Sequence, residues 1–483
     1  MISKIGRTKI VSEFKSDDLR DVNNLAKLLY HSFRIHERNK TDIDYLINYT
    51  HGKQEILNKT KTVREEINNT LVINHAQMIT RNVVGYFLGT PIQYIQSGVE
   101  SKNEIDYLNK VVSYEDKSSV DKEIGDYQSI CGTAYRIIYT DGQFGDEVPF
   151  EDKALNPSTT FVVYENTIAE KPLVGITYHT MLDEKGNPKG TKIFCYTDFG
   201  VYDITASLSY TINNRTDIKF SEYNIGGVPI VEYPNNIWRI GDWELCIGLM
   251  EAINNVHSGR LDDIDQIVQS LLVFINADID PTVYEEMREM GVVMLKNMSG
   301  NQTAVQSINN PLDQNGIKMF SDELESILYA LIGIPDRNNR SGGGGDTGQA
   351  VELRDGWADL EILARNKELV FKKSEKQALR IMLNILNNKK GFKLSMLDVD
   401  IKFSRNKNNN LLVKTQSYQT LLSTKTLAPA DCLTIVDLVS DVNEYISRGE
   451  AFWGEDFAQK TVVKELPQDV IEVDPNDDIK KGE

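Results

Sequence analysis

The chain has 483 residues, 40% hydrophobic and 26% charged, with a formal net charge of −18. That length allows two to four domain-sized units with real cores. The acidic balance argues against tight, backbone-wide gripping of nucleic acid, which depends on phosphate contacts from a basic surface. No apolar run approaches the ~18 residues of a membrane-spanning helix, so no membrane partner is expected. The opening MISKIGRTKI lacks the apolar stretch of a secretory signal. Four cysteines (Cys131, Cys195, Cys246, Cys432) stand far apart with no CxxC pair. They read as ordinary core thiols in a reducing compartment.

In chain order, residues 1 to about 125 read mainly as helix. Within Asp42 to Leu57, the apolar positions Ile43, Leu46, Ile47, Ile56 and Leu57 follow helical spacing. A second segment, Asn74 to Leu88, meets the breaker Gly89-Thr90-Pro91. From 130 to 235 the character changes. The runs TAYRIIYTDG, TTFVVYEN, LVGITYH, TKIFCYTDFGVYDI and VPIVEYPNN alternate with turn residues, which predicts antiparallel sheets. Lys185 to Gly190 reads as a hairpin connection.

The helical period returns from Asp242 to about Leu272, with Trp243, Met250, Ile253, Ile264 and Leu271 on one stripe. A short mixed segment follows, read as strand, short helix, strand. The next helix runs from Ile317 to Ile332, with Ile317, Phe320, Leu324, Ile327, Leu328 and Leu331 expected to face inward. Gly333-Ile334-Pro335 stops it. Beyond DRNNRSGGGGDTGQ comes the longest helix, about 347 to 386, or ~60 Å at 1.5 Å per residue. Asp346 and Gln349 form a capping-box variant at its start, and Gly356 is a candidate kink. A strand over Leu397 to Phe403 and helices from Leu411 to about Gly449 complete the folded part. The final stretch, 465–483, holds seven acids against two lysines and reads as a disordered tail.

The glycine tract Gly342–Gly345 invites comparison with a phosphate-binding loop. That loop needs G-x-x-x-x-G-K-[ST] after a strand. Here Gln349 follows the last glycine and a helix precedes the loop, which counts against a nucleotide-dependent enzyme. Two readings stay open: a flexible linker, or a mobile loop that something passes closely, since glycine permits unhindered backbone approach. The charges Asp336, Arg337, Arg340 and Asp346 sum to zero, so any phosphate contact there is transient. Asp262, Asp263 and Asp265 read as a polar helix face rather than a metal site. The six histidines form no HExxH pair, and no GxSxG elbow occurs. No catalytic residue, cofactor or metal is expected.

Several blocks, taken in order, resemble one family: the portal proteins of tailed bacteriophages, in the group typified by phage SPP1. They are YLINYTHGKQEILNK (Tyr45 to Lys59), NNTLVINHAQMITRNVVGYFLGTPIQY (Asn68 to Tyr94), SICGTAYRIIYTDGQFG (Ser129 to Gly145), GGVPIVEYPNN (Gly226 to Asn236), GDWELCIGLMEAINNVHSGRLDDID, and GIPDRNNRSGGGGDTGQAVELR. Leu249-Met250-Glu251-Ala252-Ile253 departs from the family's usual stem pattern without harm to a helix. The second block is the most specific. Each is weak alone, and their shared order carries the resemblance.

The resemblance implies an α+β portal fold assembled as a ring. Residues 1–240 would form the wing, 241–272 a stem helix, 273–312 a small α/β clip and 313–334 a second stem helix. A tunnel loop (335–348), a spine helix (349–386), a helical crown (387–464) and the acidic tail (465–483) would follow. The DNA-facing residues would be Asp336, Arg337, Asn338, Asn339, Arg340, Ser341, Gly342, Gly343, Gly344, Gly345, Asp346 and Thr347. The motor- and adaptor-facing clip residues would be Asp280, Tyr284, Glu285, Glu286, Arg288 and Glu289. Implied partners are further copies in a homo-dodecamer (a 13-mer in isolation), double-stranded DNA, the terminase large subunit, a head–tail adaptor, and the major capsid and scaffolding proteins. The implied place is the capsid vertex of the virion, with the host cytoplasm during assembly. The competing reading is a head–tail adaptor or other ring component without a DNA-facing loop.

Overall fold

The computed structural model describes residues 5–62, 64–96, 102–140, 148–206, 215–268, 271–275, 304–308, 314–335, 357–405, 411–424, 427–436, 438–439 and 442–454. The described elements run β1 (Ile10–Ser12), α1 (Val22–Thr50), α2 (His75–Phe87), β2 (Gln93–Gln96), α3 (Lys102–Tyr114) and α4 (Lys117–Cys131). Eight strands follow: β3 (Thr133–Tyr139), β4 (Glu151–Leu155), β5 (Thr160–Glu165), β6 (Pro172–Leu182), β7 (Pro188–Tyr196), β8 (Gly200–Ala206), β9 (Arg215–Glu222) and β10 (Ile230–Pro234). Then come α5 (Ile247–Val268), β11 (Leu271–Ile275), β12 (Ala304–Ile308), α6 (Gln314–Ile332), α7 (Trp357–Lys390) and β13 (Val399–Lys402). The last three helices are α8 (Leu411–Ser423), α9 (Pro429–Val436) and α10 (Val442–Trp453). The mixed α and β content agrees with the expected class. Contacts divide the chain into two compact units, Met1–Arg405 and Asn406–Glu483, and α8–α10 belong to the second.

In the first unit, a six-stranded sheet has the order β1-β5-β6-β7-β8-β9. Neighbouring strands are antiparallel except β1 and β5, which pair in parallel through Ile10↔Val163. A second sheet, β10-β3-β4, packs against it. Gly175 on β6 lies so close to Ile230 on β10 that a Cβ would stand 2.5 Å from the isoleucine side chain. Only glycine allows that approach. The β6–β7 connection is the expected hairpin, with Gly186 at φ 80°. Asp183 accepts from the backbone N–H groups of Lys185 and Asn187 and fixes the turn.

Three cores hold the unit together. One lies between the six-stranded sheet and the first half of α1, around Leu25, Phe33, Phe161 and Ile176. A second packs α2, α3 and α4 against the inner face of α7 and the β2–β13 pair. The third joins α1, α2, α5, α6 and the start of α7 around Tyr49, Trp243, Met250 and Leu328. Trp243 Nε1 donates to Thr80 Oγ1 at 3.0 Å, so its polar handle is satisfied.

Several sequence-based boundaries change. Helix α1 reaches twenty residues ahead of the Asp42 to Leu57 window, capped by Asp21, whose side chain accepts from the Asn23 N–H at 2.9 Å. It ends at Thr50, and Gly52 at φ 85° turns the chain, leaving Ile56 and Leu57 in a short 3-10 turn. Leu271 leaves its expected helical stripe for strand β11, which pairs antiparallel with β12. On α6, Ser321, Leu328 and Ile332 point inward, while Phe320, Ile327 and Leu331 are 51%, 43% and 68% exposed. The helix therefore buries a narrower stripe than its composition predicts. The spine helix is described from Trp357 to Lys390, one turn past its expected end at 386, and its expected start, with Asp346, Gln349 and the candidate kink at Gly356, lies outside the described residues.

Candidate functional site

The twelve candidate tunnel-loop residues, 336–347, and the six candidate clip residues, Asp280, Tyr284, Glu285, Glu286, Arg288 and Glu289, lie outside the described residues. Their bases are described, and both are closed. Gly333 caps α6 in the left-handed region at φ 75°. The N–H groups of Gly333 and Ile334 both donate to the Tyr329 carbonyl, at 2.9 and 3.0 Å. A Cβ on Gly333 would lie 3.2 Å from that of Asp359 in the first turn of α7. Ile334 and Leu360 share the third core. The chain that leaves α6 thus returns beside its own exit, and the described residues that flank segment 336–356 form a tied neck. The candidate clip segment is tied in the same way, because Ile275 pairs with Ala304 across the β11–β12 ladder.

Helices α5 and α6 carry these bases and are locked to each other. Arg260 Nε donates to Gln314 Oε1 at 2.6 Å, and His257 Nε2 lies 2.7 Å from Ser321 Oγ. Burial and nearby Arg260 hold the His257 imidazole below its usual range, against Asp322. Helix α5 is also held from the N-terminal side. Asp262 accepts from Lys59 Nζ at 2.7 Å and from the backbone N–H of Asn69 at 2.6 Å, and it pairs with Lys61 at 2.5 Å. Burial opposes its charge, but these donors keep the carboxyl well below the usual carboxylate range. The acid is a clamp for the 59–69 segment. Among the described residues, no group of three or more His, Cys, Asp or Glu side chains is placed to hold a metal.

Two helix faces differ sharply. On α5, Gly248, Ala252, Asn255 and Gly259 recur at steps of four, three and four. A Cβ added at Gly248 or Gly259 would meet nothing within 4 Å. On α6, Phe320, Leu324, Ile327 and Leu331 recur at the same steps. One face is a shallow groove and the other an apolar ridge.

The chain matches the family described as phage portal protein, SPP1 Gp6-like, over residues 29–447. It belongs to that family. The portal protein of Clostridium phage phiCD119 (strain Clostridium difficile/United States/Govind/2006) is 20% identical over 299 residues. That alignment covers 59% of this chain and 64% of the phage protein, so the chain spans just under two thirds of that relative. A solved chain from the neck of an empty GTA particle, computed with C6 symmetry, is 11% identical with a TM-score of 0.43. The match covers 76% of this portal-family chain and 90% of the solved one.

The portal-family chain also contains a buried charge cluster that sequence reasoning missed. Arg136 on β3 contacts Asp121 on α4, Glu375 on α7 at 2.9 Å and Asp152 on β4 at 3.3 Å. Lys117 pairs with Asp121 at 2.6 Å and Glu375 at 2.9 Å. Tyr94 and Tyr233 donate their hydroxyls to Glu375 at 2.6 and 2.7 Å. All of these side chains are buried. Burial disfavours the Glu375 charge, yet Arg136, Lys117 and the two tyrosines hold it at about 2. Burial pushes Asp152 up to about 6, against Arg136 and Lys117 and with Asp121 and Glu375 adding to the rise. A lone arginine inside TAYRIIY was the only sequence signal, and its glutamate partner lies 239 residues away.

Proposed function

We propose that this chain is the subunit of a ring-shaped portal at one capsid vertex, through which double-stranded DNA enters during packaging and leaves during ejection. The family match over residues 29–447 carries this reading. In it, segment 336–347 faces the DNA, and segment 273–312 meets the terminase large subunit and later the head–tail adaptor. The wing meets capsid and scaffolding proteins. No step requires a catalytic residue or cofactor.

A closed ring needs two different, complementary patches on each copy. The ridge on α6 and the small-residue groove on α5 meet that requirement within one chain, with matching residue steps. The tied neck at Gly333 and Asp359 suits a loop that must stay in place while something passes it. Twelve copies of a 54.7 kDa chain amount to about 656 kDa, which native mass spectrometry and the symmetry of single-particle images can read directly. Ile327→Glu is expected to abolish that species while leaving a folded monomer, since Ile327 is exposed in the single chain. A wild-type monomer or dimer under assembly conditions would sink the reading.

A further inference from the structure

We infer that the outward face of α7, centred on Lys373, Lys376 and Arg380, is a docking strip for the phosphate backbone of duplex DNA; this rests on the portal reading for its partner. The strip is an exception within an acidic chain that carries 71 acids against 53 lysines and arginines. On α7 the charges are sorted by face. Glu361 and Glu368 turn toward Arg405, and Glu375 turns into the buried cluster. Arg365, Lys373, Lys376 and Arg380 remain on the solvent side, with Lys372 half-buried at its edge.

Local pairing does not account for the sorting. Arg365 pairs with Glu361 at 2.8 Å and Lys372 with Asp400 at 2.9 Å. Among the described residues, Lys373, Lys376 and Arg380 form no ion pair within 4 Å, although Glu170 lies in the field of Lys373 and Asp400 in that of Lys376. Lys372, Lys376 and Arg380 stand at successive i,i+4 positions, where like charges repel and weaken a helix. A face that only had to be soluble would interleave acids. This one keeps its cations together.

The chemistry fits phosphate better than an acidic protein surface. Protein interfaces are built around an apolar centre and are poor in lysine. From Phe371 to Lys390, the end of α7, no large hydrophobic side chain is exposed, and Leu369, 72% exposed one turn before Lys373, lies at the edge of the strip. Residues 372 to 380 rise about 12 Å along the helix, while duplex DNA presents a charge roughly every 1.7 Å of its axis. Such a polyanion meets the strip in any register. Binding of this kind is salt-sensitive and free of sequence preference, so it does not arrest moving DNA as base contacts would.

The test uses assembled rings of the full chain and a labelled duplex of mixed sequence, read by fluorescence anisotropy across a salt series. The strip variant is Lys373→Glu, Lys376→Glu and Arg380→Glu together. A control with the same charge change elsewhere is Lys185→Glu, Lys189→Glu and Lys219→Glu, all on exposed hairpin or strand positions. Wild-type rings are expected to bind the duplex at about 50 mM salt. The strip variant should bind about tenfold or more weakly, with a shallower dependence on salt of roughly 0.9 per lost phosphate contact. The control should stay within about twofold of wild type. Equal weakening of both variants, or of neither, overturns the strip, as does wild-type ring that binds no duplex. A strip variant that no longer forms rings while wild type does makes this face a contact between copies and also overturns the proposal. If wild type itself forms no ring, the portal reading fails, and the strip loses its assigned partner with it.

Discussion

Helix α7 presents two faces with the same kinds of residue and opposite behaviour. Its inner face places Glu375 among Arg136, Lys117, Tyr94 and Tyr233, all buried and all bonded to it. Its outer face leaves Lys373, Lys376 and Arg380 exposed and without a close carboxylate among the described residues. A buried charge has lost its water and is tolerated only with full pairing. An exposed charge keeps its water, so its partner can be absent from the chain. Adjacent positions on one helix, 375 and 376, therefore separate architecture from recognition. The inner cluster ties β2, α4, β3, β4 and β10 to α7, which makes it the joint between the β-rich part and the long helix.

The largest effect belongs to the inner face. Arg136→Met leaves three buried carboxylates facing Lys117 alone, and breaking a buried ion cluster from one side costs about 3–5 kcal/mol. Urea denaturation at neutral pH should show that loss in the transition of the first unit. A loss below about 1 kcal/mol would mean that water already reaches the cluster.

Next comes a pH effect within the same cluster. Two cations face three carboxylates, and burial, opposed by Arg136 and Lys117 and reinforced by Asp121 and Glu375, raises Asp152 from an ordinary 3.8 to about 6. A raised carboxyl holds its proton more tightly in the folded state, so its contribution favours folding at low pH. That contribution is lost as pH rises from about 4 through about 6. Asp152→Asn keeps the neutral shape at every pH. Relative to wild type, it should gain stability over that window and level off above it, by up to about 3 kcal/mol at one pKa unit per 1.4 kcal/mol. Wild type and variant running parallel from pH 4 to 8 would show that Asp152 is not raised.

How much of this was legible beforehand follows from the range of the interactions. Local signals read well: the Asn74 to Leu88 segment that forms α2, the hairpin connection near Lys185, and the Gly333 stop of α6. The strand runs between 130 and 235 also read well, because β-branched and aromatic alternation is a local pattern. Partners far along the chain did not. The parallel pairing of Ile10 with Val163 and the contact of Arg136 with Glu375 leave no local trace. The α6 stripe was misassigned for another reason. Periodicity identifies an apolar face but not whether the chain itself covers it, and Phe320, Ile327 and Leu331 stay uncovered in one copy. The candidate loop lies outside the described residues, and the structure adds only the close approach of Gly333 and Asp359 on either side of it.

The smallest effect tests the outer face, one residue from Glu375. Lys376→Ala removes a cation flanked at i−4 by Lys372 and at i+4 by Arg380, and replaces it with the best helix former. Relief of repulsion and the gain in propensity should together stabilise the helix by about 0.2–0.5 kcal/mol. The sign is opposite to that of Arg136→Met, and the same urea titration reads both. A destabilisation of more than about 1 kcal/mol would show that Lys376 is held by a contact within the chain. The two faces of α7 would then differ in degree rather than in kind, and the outer strip would have no vacancy for a partner.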